Sequence, residues 1–319
     1  MSRFIVLGLF LLVPLTPTQA QVSCPAKGVH LQVLGSGGPG LTAGRASSSY
    51  LIWINGKARA MVGVGGGSAL RYGESGARFS DLDFIALSRL HADHTGGLPA
   101  LVRSAQQGGR KRALPIYGPA GNKFMPSTVA FIRTLFDQKR GAWRDLGEVL
   151  SPLGKQGYRL QPHDIRTSIK KGKPQLKNVK KSNPVFVGSG MRLSAAPYIH
   201  GGAPALAWRL QVNKKIIVFV GETENGSDKL PALAKGATLL VAHLSSDNKQ
   251  NPRAEFKPGD YLKSAEAIGR IAQQSGARRL VISRRMPATL GHEQEIIPTI
   301  KKFFDGEIRF ADDLSCFAI

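Results

Sequence analysis

Cysteine is almost missing from this chain: 319 residues contain two, Cys24 and Cys316. No Cys-x-x-Cys spacing exists, which argues against a cysteine-ligated zinc site. The two thiols are either unrelated or joined, in an oxidising compartment, into a bridge that ties the chain ends together. Over so long a loop, such a bridge contributes roughly 4 to 5 kcal/mol in the loop-closure model. Acidic residues are also scarce, 21 Asp and Glu against 44 Lys and Arg, for a formal charge of +23. The sequence has no internal repeat by identity. The glycines at 35, 37 and 38 lack the acidic partner and the following helix that a dinucleotide-binding turn requires.

Long apolar runs are limited to residues 4–15, shorter than the roughly 20 residues that cross a bilayer. Arg3 precedes that run and Thr18-Gln19-Ala20 follows it, so residues 1–20 read as a cleaved signal peptide and the mature chain as periplasmic or secreted, with no transmembrane segment. A lipid anchor on Cys24 fits less well, because Gln21 stands where lipoprotein signals place leucine. The remaining 21–319 are expected to form one domain, since 42% hydrophobic residues supply an ample core. The basic excess favours acidic partners: small anionic or ester ligands, or an acidic envelope polymer. Its densest stretch, 166–181, holds no aromatic residue, so a solvated basic loop at about 165–184 is expected, with no specific nucleic-acid surface.

Apolar periodicity predicts strands at Val29–Leu34, Ser48–Ile54 and Ala58–Val64, the last two joined by an Asn55-Gly56 hairpin turn. A further buried-type strand, Asp83–Ser88, runs directly into Arg89-Leu90-His91-Ala92-Asp93-His94-Thr95-Gly96-Gly97. A helix is expected over 98–107, mainly helical structure over 125–150, and a helix over 265–274. The second half should supply strands at Met191–Pro197, Ala205–Val212, Lys215–Val220, Thr238–Ala242 and Arg279–Ser283. His91, Asp93 and His94, two imidazoles and a carboxylate placed just after a strand, suit zinc or a similar divalent ion.

These landmarks resemble the metallo-β-lactamase superfamily, in particular its ribonuclease Z-like branch and related exported arylsulfatase-like or phosphodiesterase-like hydrolases. The anchors are Leu34-Gly35-Ser36-Gly37-Gly38-Pro39, Ser47 to Leu51, Val64 to Gly67, the 88–97 stretch, His200, Phe219 to Thr223, Val241-Ala242-His243 and Leu280 to Ser283. The resemblance implies a four-layer αβ/βα sandwich and a dinuclear site in which His91, Asp93, His94 and His200 act as ligands. Glu222 would stand where the family has a bridging aspartate. It also implies that His243 donates a proton to a leaving group, although Leu244 follows it where that branch has a glutamate. Three positions depart from the pattern: Arg89 and Arg284 replace ligand histidines, and Gly63 replaces a supporting aspartate.

A guanidinium keeps its proton and offers no lone pair to a metal. At most one divalent ion, or none, is therefore expected. Arg89 and Arg284 would substitute for the lost positive charge by pairing with Asp93 and Glu222, leaving a pocket able to hold phosphate, sulfate or carboxylate; alternatively they turn to solvent and the site is merely damaged. Two functions compete: a weakly active or inactive homologue that binds an anionic ligand, and a hydrolase of phosphate, sulfate or carboxylic esters working with a reduced, mononuclear site and Asp93 as ligand or base. A structural envelope protein held by charge alone would leave the histidine cluster unexplained.

Overall fold

The computed structural model of the chain describes residues 22–151, 157–165, 167–170, 173–176, 184–221, 230–244 and 258–319. The first half supplies β1 (Val29–Gly35), β2 (Ser49–Ile54), β3 (Lys57–Val62), β4 (Phe84–Ala86), β5 (Leu114–Pro119) and β6 (Leu160–Ile165). A hairpin of β7 (Thr167–Lys170) and β8 (Lys173–Leu176) follows. The second half supplies β9 (Phe186–Gly188), β10 (Met191–His200), β11 (Ala203–Val212), β12 (Lys215–Val220), β13 (Leu239–His243), β14 (Arg279–Ser283) and β15 (Glu307–Phe310). The last strand, β16 (Cys316–Ala318), returns to the first half and pairs antiparallel with β1, Gln32 opposite Cys316.

Two seven-stranded sheets result, in the orders β16-β1-β2-β3-β4-β5-β6 and β15-β14-β13-β12-β11-β10-β9. Period-two alternation decides which side chains lie between them. Along β11, Leu206, Trp208, Leu210 and Val212 join the central cluster with Leu31, Val33, Ile52 and Val62 of the first sheet. Ala205 and Ala207, on the opposite face, pack under α5 (Leu230–Ala234), α6 (Pro258–Ser275) and α7 (Glu293–Lys301). The other outer layer rests on Leu51, Met61, Ile85 and Ile116 and is built by α1 (Ser68–Glu74), α3 (Leu98–Ala105) and α4 (Thr128–Phe136), while α2 (Ala92–Thr95) caps the edge. Three stacked apolar clusters between four layers give the αβ/βα sandwich expected from the sequence.

Several element boundaries differ from the sequence reading. The described part of the basic 165–184 stretch is a two-stranded hairpin beside β10, in place of a loop. The segment 125–150 is helical in two pieces, α4 and a 3-10 turn at Arg144–Leu150, because Asp137 adopts an extended backbone that ends the first. The disulfide Cys24–Cys316 is present, with a Cα–Cα separation of 5.7 Å across 292 residues of sequence. The signal-peptide residues 1–20 lie outside the described residues.

Candidate functional site

Parallel strands of both sheets end on one edge, which is where side chains just past the strands can converge. β3 and β4 run parallel there, and so do β12, β13 and β14, with His243 and Ser283 side by side in register. From the first sheet the edge receives Arg89 and the 91–94 turn. From the second it receives His200 at the end of β10, His243 at the end of β13, and Arg284 just beyond β14.

Close backbone packing fixes the turn that carries the histidine cluster. Val64 N–H donates to the His94 carbonyl and Gly97 N–H to the Val64 carbonyl, both at 2.9 Å. A Cβ on Gly65 would come within 2.6 Å of the Asp93 carbonyl oxygen, so only glycine lets these two loops approach. The facing wall, the 35–47 loop, is clamped by Asp313, which accepts from Ser36 N–H at 2.9 Å, Ala46 N–H at 2.7 Å and Arg71 Nε at 3.0 Å. Beside it Arg285 pairs with Glu293 and with Asp312, the latter at 3.0 Å, and lies over the Phe310 ring.

At the centre is the Asp93 carboxylate. Its Oδ2 lies 3.6 Å from Arg89 Nη2, 3.5 Å from Arg284 Nη2 and 3.4 Å from His94 Nε2. Both arginines are buried, Arg89 at 1% and Arg284 at 5% exposure, so neither turns to solvent. Burial foremost, then the neighbouring Arg89, pulls the Arg284 guanidinium down to about 10, which still leaves it charged at neutral pH. Arg284 also carries a positive φ of 58°, a left-handed backbone that costs an ordinary residue about 1 to 2 kcal/mol. Strain of this kind persists where surrounding packing over-determines it.

The histidines occupy two pairs. His91 and His200 have ring centroids 5.8 Å apart, and His94 and His243 are 6.1 Å apart. Burial first, and Arg89 second, lower the pKa of His91, of His94 well below its usual value, and of His243 to about 3. His243 is therefore neutral at physiological pH. An imidazolium there would be desolvated beside a guanidinium, which is the cause of that shift. His243 Nε2 contacts the Tyr50 hydroxyl at 2.9 Å, and Tyr50 donates to Ser283 Oγ at 2.9 Å. Tyr50 was not identified from the sequence as a site residue: a tyrosine inside an apolar strand reads as core, and nothing local signals that its hydroxyl reaches across to the second sheet.

Among the described residues, no group of three or more His, Cys, Asp and Glu side chains is arranged to hold an ion. The fifth expected ligand, Glu222, lies outside the described residues. The Asp93 carboxylate, a metal ligand by the resemblance, faces two guanidiniums, and a second divalent charge there would meet cations in place of lone pairs. These residues do not fit a metal pair. Gly63 has φ 72°, and a Cβ there would lie 2.7 Å from the Ser48 carbonyl oxygen, so the backbone itself opposes the family's aspartate.

The chain belongs to the metallo-beta-lactamase superfamily, whose sequence pattern matches residues 42–260. Among curated relatives, ribonuclease BN of Escherichia coli O6:K15:H31 is 24% identical over 233 residues, 63% of this chain and 70% of that protein. The Citrobacter koseri ribonuclease BN is also 24% identical, over 223 residues, 60% of this chain and 68% of its own length. Among solved structures, the short form of human tRNase Z superposes with a TM-score of 0.65 at 19% identity, covering 91% of this chain and 99% of that one. The metallo-beta-lactamase fold protein YhfI of Bacillus subtilis gives 0.64 at 18% identity, over 91% and 98%. Zinc-bound PqqB of Methylobacterium extorquens gives 0.56 at 12%, over 91% and 100%. At such identities the structural likeness establishes the fold, and function has to be argued from the site.

Proposed function

We propose that this protein is an exported metallo-β-lactamase-fold homologue in which Arg89 and Arg284 have taken over the charge of the family's metal ions, so that it binds an anionic ligand and hydrolyses esters weakly or not at all. The observation that carries this reading is the placement of both buried guanidiniums against one carboxylate, Asp93. A guanidinium presents a planar fork of donors that matches a bidentate anion such as phosphate or carboxylate. The strained backbone of Arg284 supports a built site over a decayed one, since a merely damaged position has no reason to retain a conformation that favours glycine. Export is supported by the Cys24–Cys316 bridge, a bond kept in oxidising compartments.

One feature favours a second reading: the His91 and His200 rings remain neighbours, as a residual single-ion site using zinc or a similar metal would require. Elemental analysis of the purified mature protein, after incubation with zinc and manganese and removal of loose ions, separates the two. Less than about 0.2 ions per chain, together with titratable anion binding that is lost in Arg89→Gln, supports the anion-binding reading. About one tightly held ion supports a mononuclear hydrolase. About two ions would overturn the role given to the arginines.

A further inference from the structure

Three tryptophans occur in the chain, and two of them, Trp53 and Trp208, are buried at 5% and 0% exposure. The third, Trp143, is 43% exposed. It stands in the turn between α4 and the 3-10 segment at Arg144–Leu150, and backbone bonds hold that turn in shape. Gly141 N–H donates to the Asp137 carbonyl at 2.8 Å, Ala142 N–H to the Thr134 carbonyl at 2.9 Å and Trp143 N–H to the Leu135 carbonyl at 2.8 Å. The Asp137 carboxylate accepts from the backbone N–H of Lys139 at 2.9 Å and of Arg140 at 2.8 Å. A Cβ on Gly141 would come within 2.5 Å of the Asp137 nitrogen, so only glycine closes the turn. Flanking Trp143 in sequence are three exposed cations, Lys139, Arg140 and Arg144, and one exposed acid, Asp145. Among the described residues, none of the three cationic side chains is in a hydrogen bond or salt bridge. Other arginines differ in this respect: Arg45, Arg59, Arg71, Arg112 and Arg285 each meet a carboxylate.

From this exposed indole among unpaired cations, we propose that the 137–144 turn is a docking surface for an anionic lipid bilayer. Trp143 sits at headgroup level, and Lys139, Arg140 and Arg144 lie on the acidic headgroups. An indole has an apolar body and one polar N–H, and the headgroup boundary accommodates both. Each basic side chain beside it adds about fivefold in affinity for an anionic surface. A soluble polyanion would be held by the cations alone and leave the indole in water. A second copy of this chain fits poorly, because pairing the turn with itself sets cations against cations. The formal charge of +23 adds long-range attraction to an anionic surface. The fold also orients the molecule on it. α4 begins where β5 and β6 end, with Thr128 Oγ donating to the Pro119 carbonyl and Asp164 accepting from Val129 N–H. Its nine residues, packed along β6, carry the chain about 13 Å from that edge. The turn therefore lies toward the opposite end of the sandwich from Asp93, and a docked molecule keeps its site edge facing water.

The test is binding of the mature protein to lipid vesicles, read by co-sedimentation and by tryptophan emission. Because Trp53 and Trp208 are buried, a change in emission reports Trp143. Vesicles of equal parts phosphatidylglycerol and phosphatidylcholine should bind the protein and move its emission to shorter wavelength, and phosphatidylcholine alone should do neither. Added salt should weaken the binding. Trp143→Phe should abolish the emission change. The triple variant Lys139→Gln/Arg140→Gln/Arg144→Gln, altered only at exposed side chains, should bind on the order of a hundredfold less tightly, with circular dichroism showing that it folds like the parent. Equal binding to both kinds of vesicle, or binding to the anionic ones with emission unchanged, would overturn the proposal. Soluble polyphosphate bound as tightly as the anionic vesicles would also overturn it and make the partner a polyanion. Parent-like affinity in the triple variant would place the surface elsewhere on this basic chain, and the proposal would fail.

Discussion

At the scale of single residues, Arg284 combines two costs that usually occur apart, a buried charge and a left-handed backbone. Its two consequences can be separated by substitution. Arg284→Gly and Arg284→Ala both remove the guanidinium from Asp93, but only glycine accepts a φ of 58° without penalty. Chemical denaturation should therefore find the glycine variant more stable than the alanine variant by about 1 kcal/mol; equal stabilities would mean that the backbone relaxes freely there. The buried histidines give a second prediction. Because the native pKa of His94 and of His243 lies below the unfolded value near 6.5, the unfolded chain binds more protons between those limits. Stability is then full above about pH 6.5 and declines as pH falls, by about 1.4 kcal/mol per pH unit for each histidine that protonates only on unfolding. Denaturation midpoints from pH 7.5 down to 5 check the sign; a rise in stability over that range would show that these imidazoles are charged in the native state.

At the scale of elements, the turns after β3 and β4 are held so closely that their glycines decide what chemistry the edge can carry. Replacing the arginines by histidine restores two ligands on paper, but the supporting aspartate cannot simply follow. Gly63→Asp would place a Cβ against the Ser48 carbonyl in a left-handed backbone, and is expected to cost about 1 to 3 kcal/mol. A melting temperature unchanged in Gly63→Asp would contradict this account. The same scale explains which strands escaped the sequence reading. β5 contains Pro115 and Pro119 and β6 contains Pro162, residues that argue against a strand. The sheet tolerates them because β6 is an edge strand and β5 pairs with β4 only through Ile116 and Tyr117.

At the scale of the whole molecule, the chain closes on itself twice. β16 leaves the second sheet's half of the sequence to pair with β1, and the Cys24–Cys316 bridge locks that closure. Because the loop spans 292 residues, its removal should cost up to about 5 kcal/mol in the loop-closure model. The double variant Cys24→Ser/Cys316→Ser, or reduction of the parent protein, should lower the melting temperature clearly. No change would mean that the ends are held by β1–β16 pairing alone. The C-terminal segment also supplies Asp312 and Asp313, which fasten the 35–47 wall of the site, so loosening the ends should loosen ligand binding as well.

The sequence by itself determined most central strands, because apolar alternation and glycine-marked turns are local and survive in a linear string, and its landmarks carried the resemblance that implied the four-layer sandwich and the neighbourhood of the site. The same resemblance located the anomaly, since arginine where the family has a ligand histidine is legible without coordinates. Tertiary structure alone decided that Arg89 and Arg284 turn inward onto Asp93, that the histidines separate into two pairs, and that Tyr50 reaches His243 across the sheets. Those outcomes depend on contacts between residues as far apart as 193 positions, whose balance of desolvation and pairing no local pattern records.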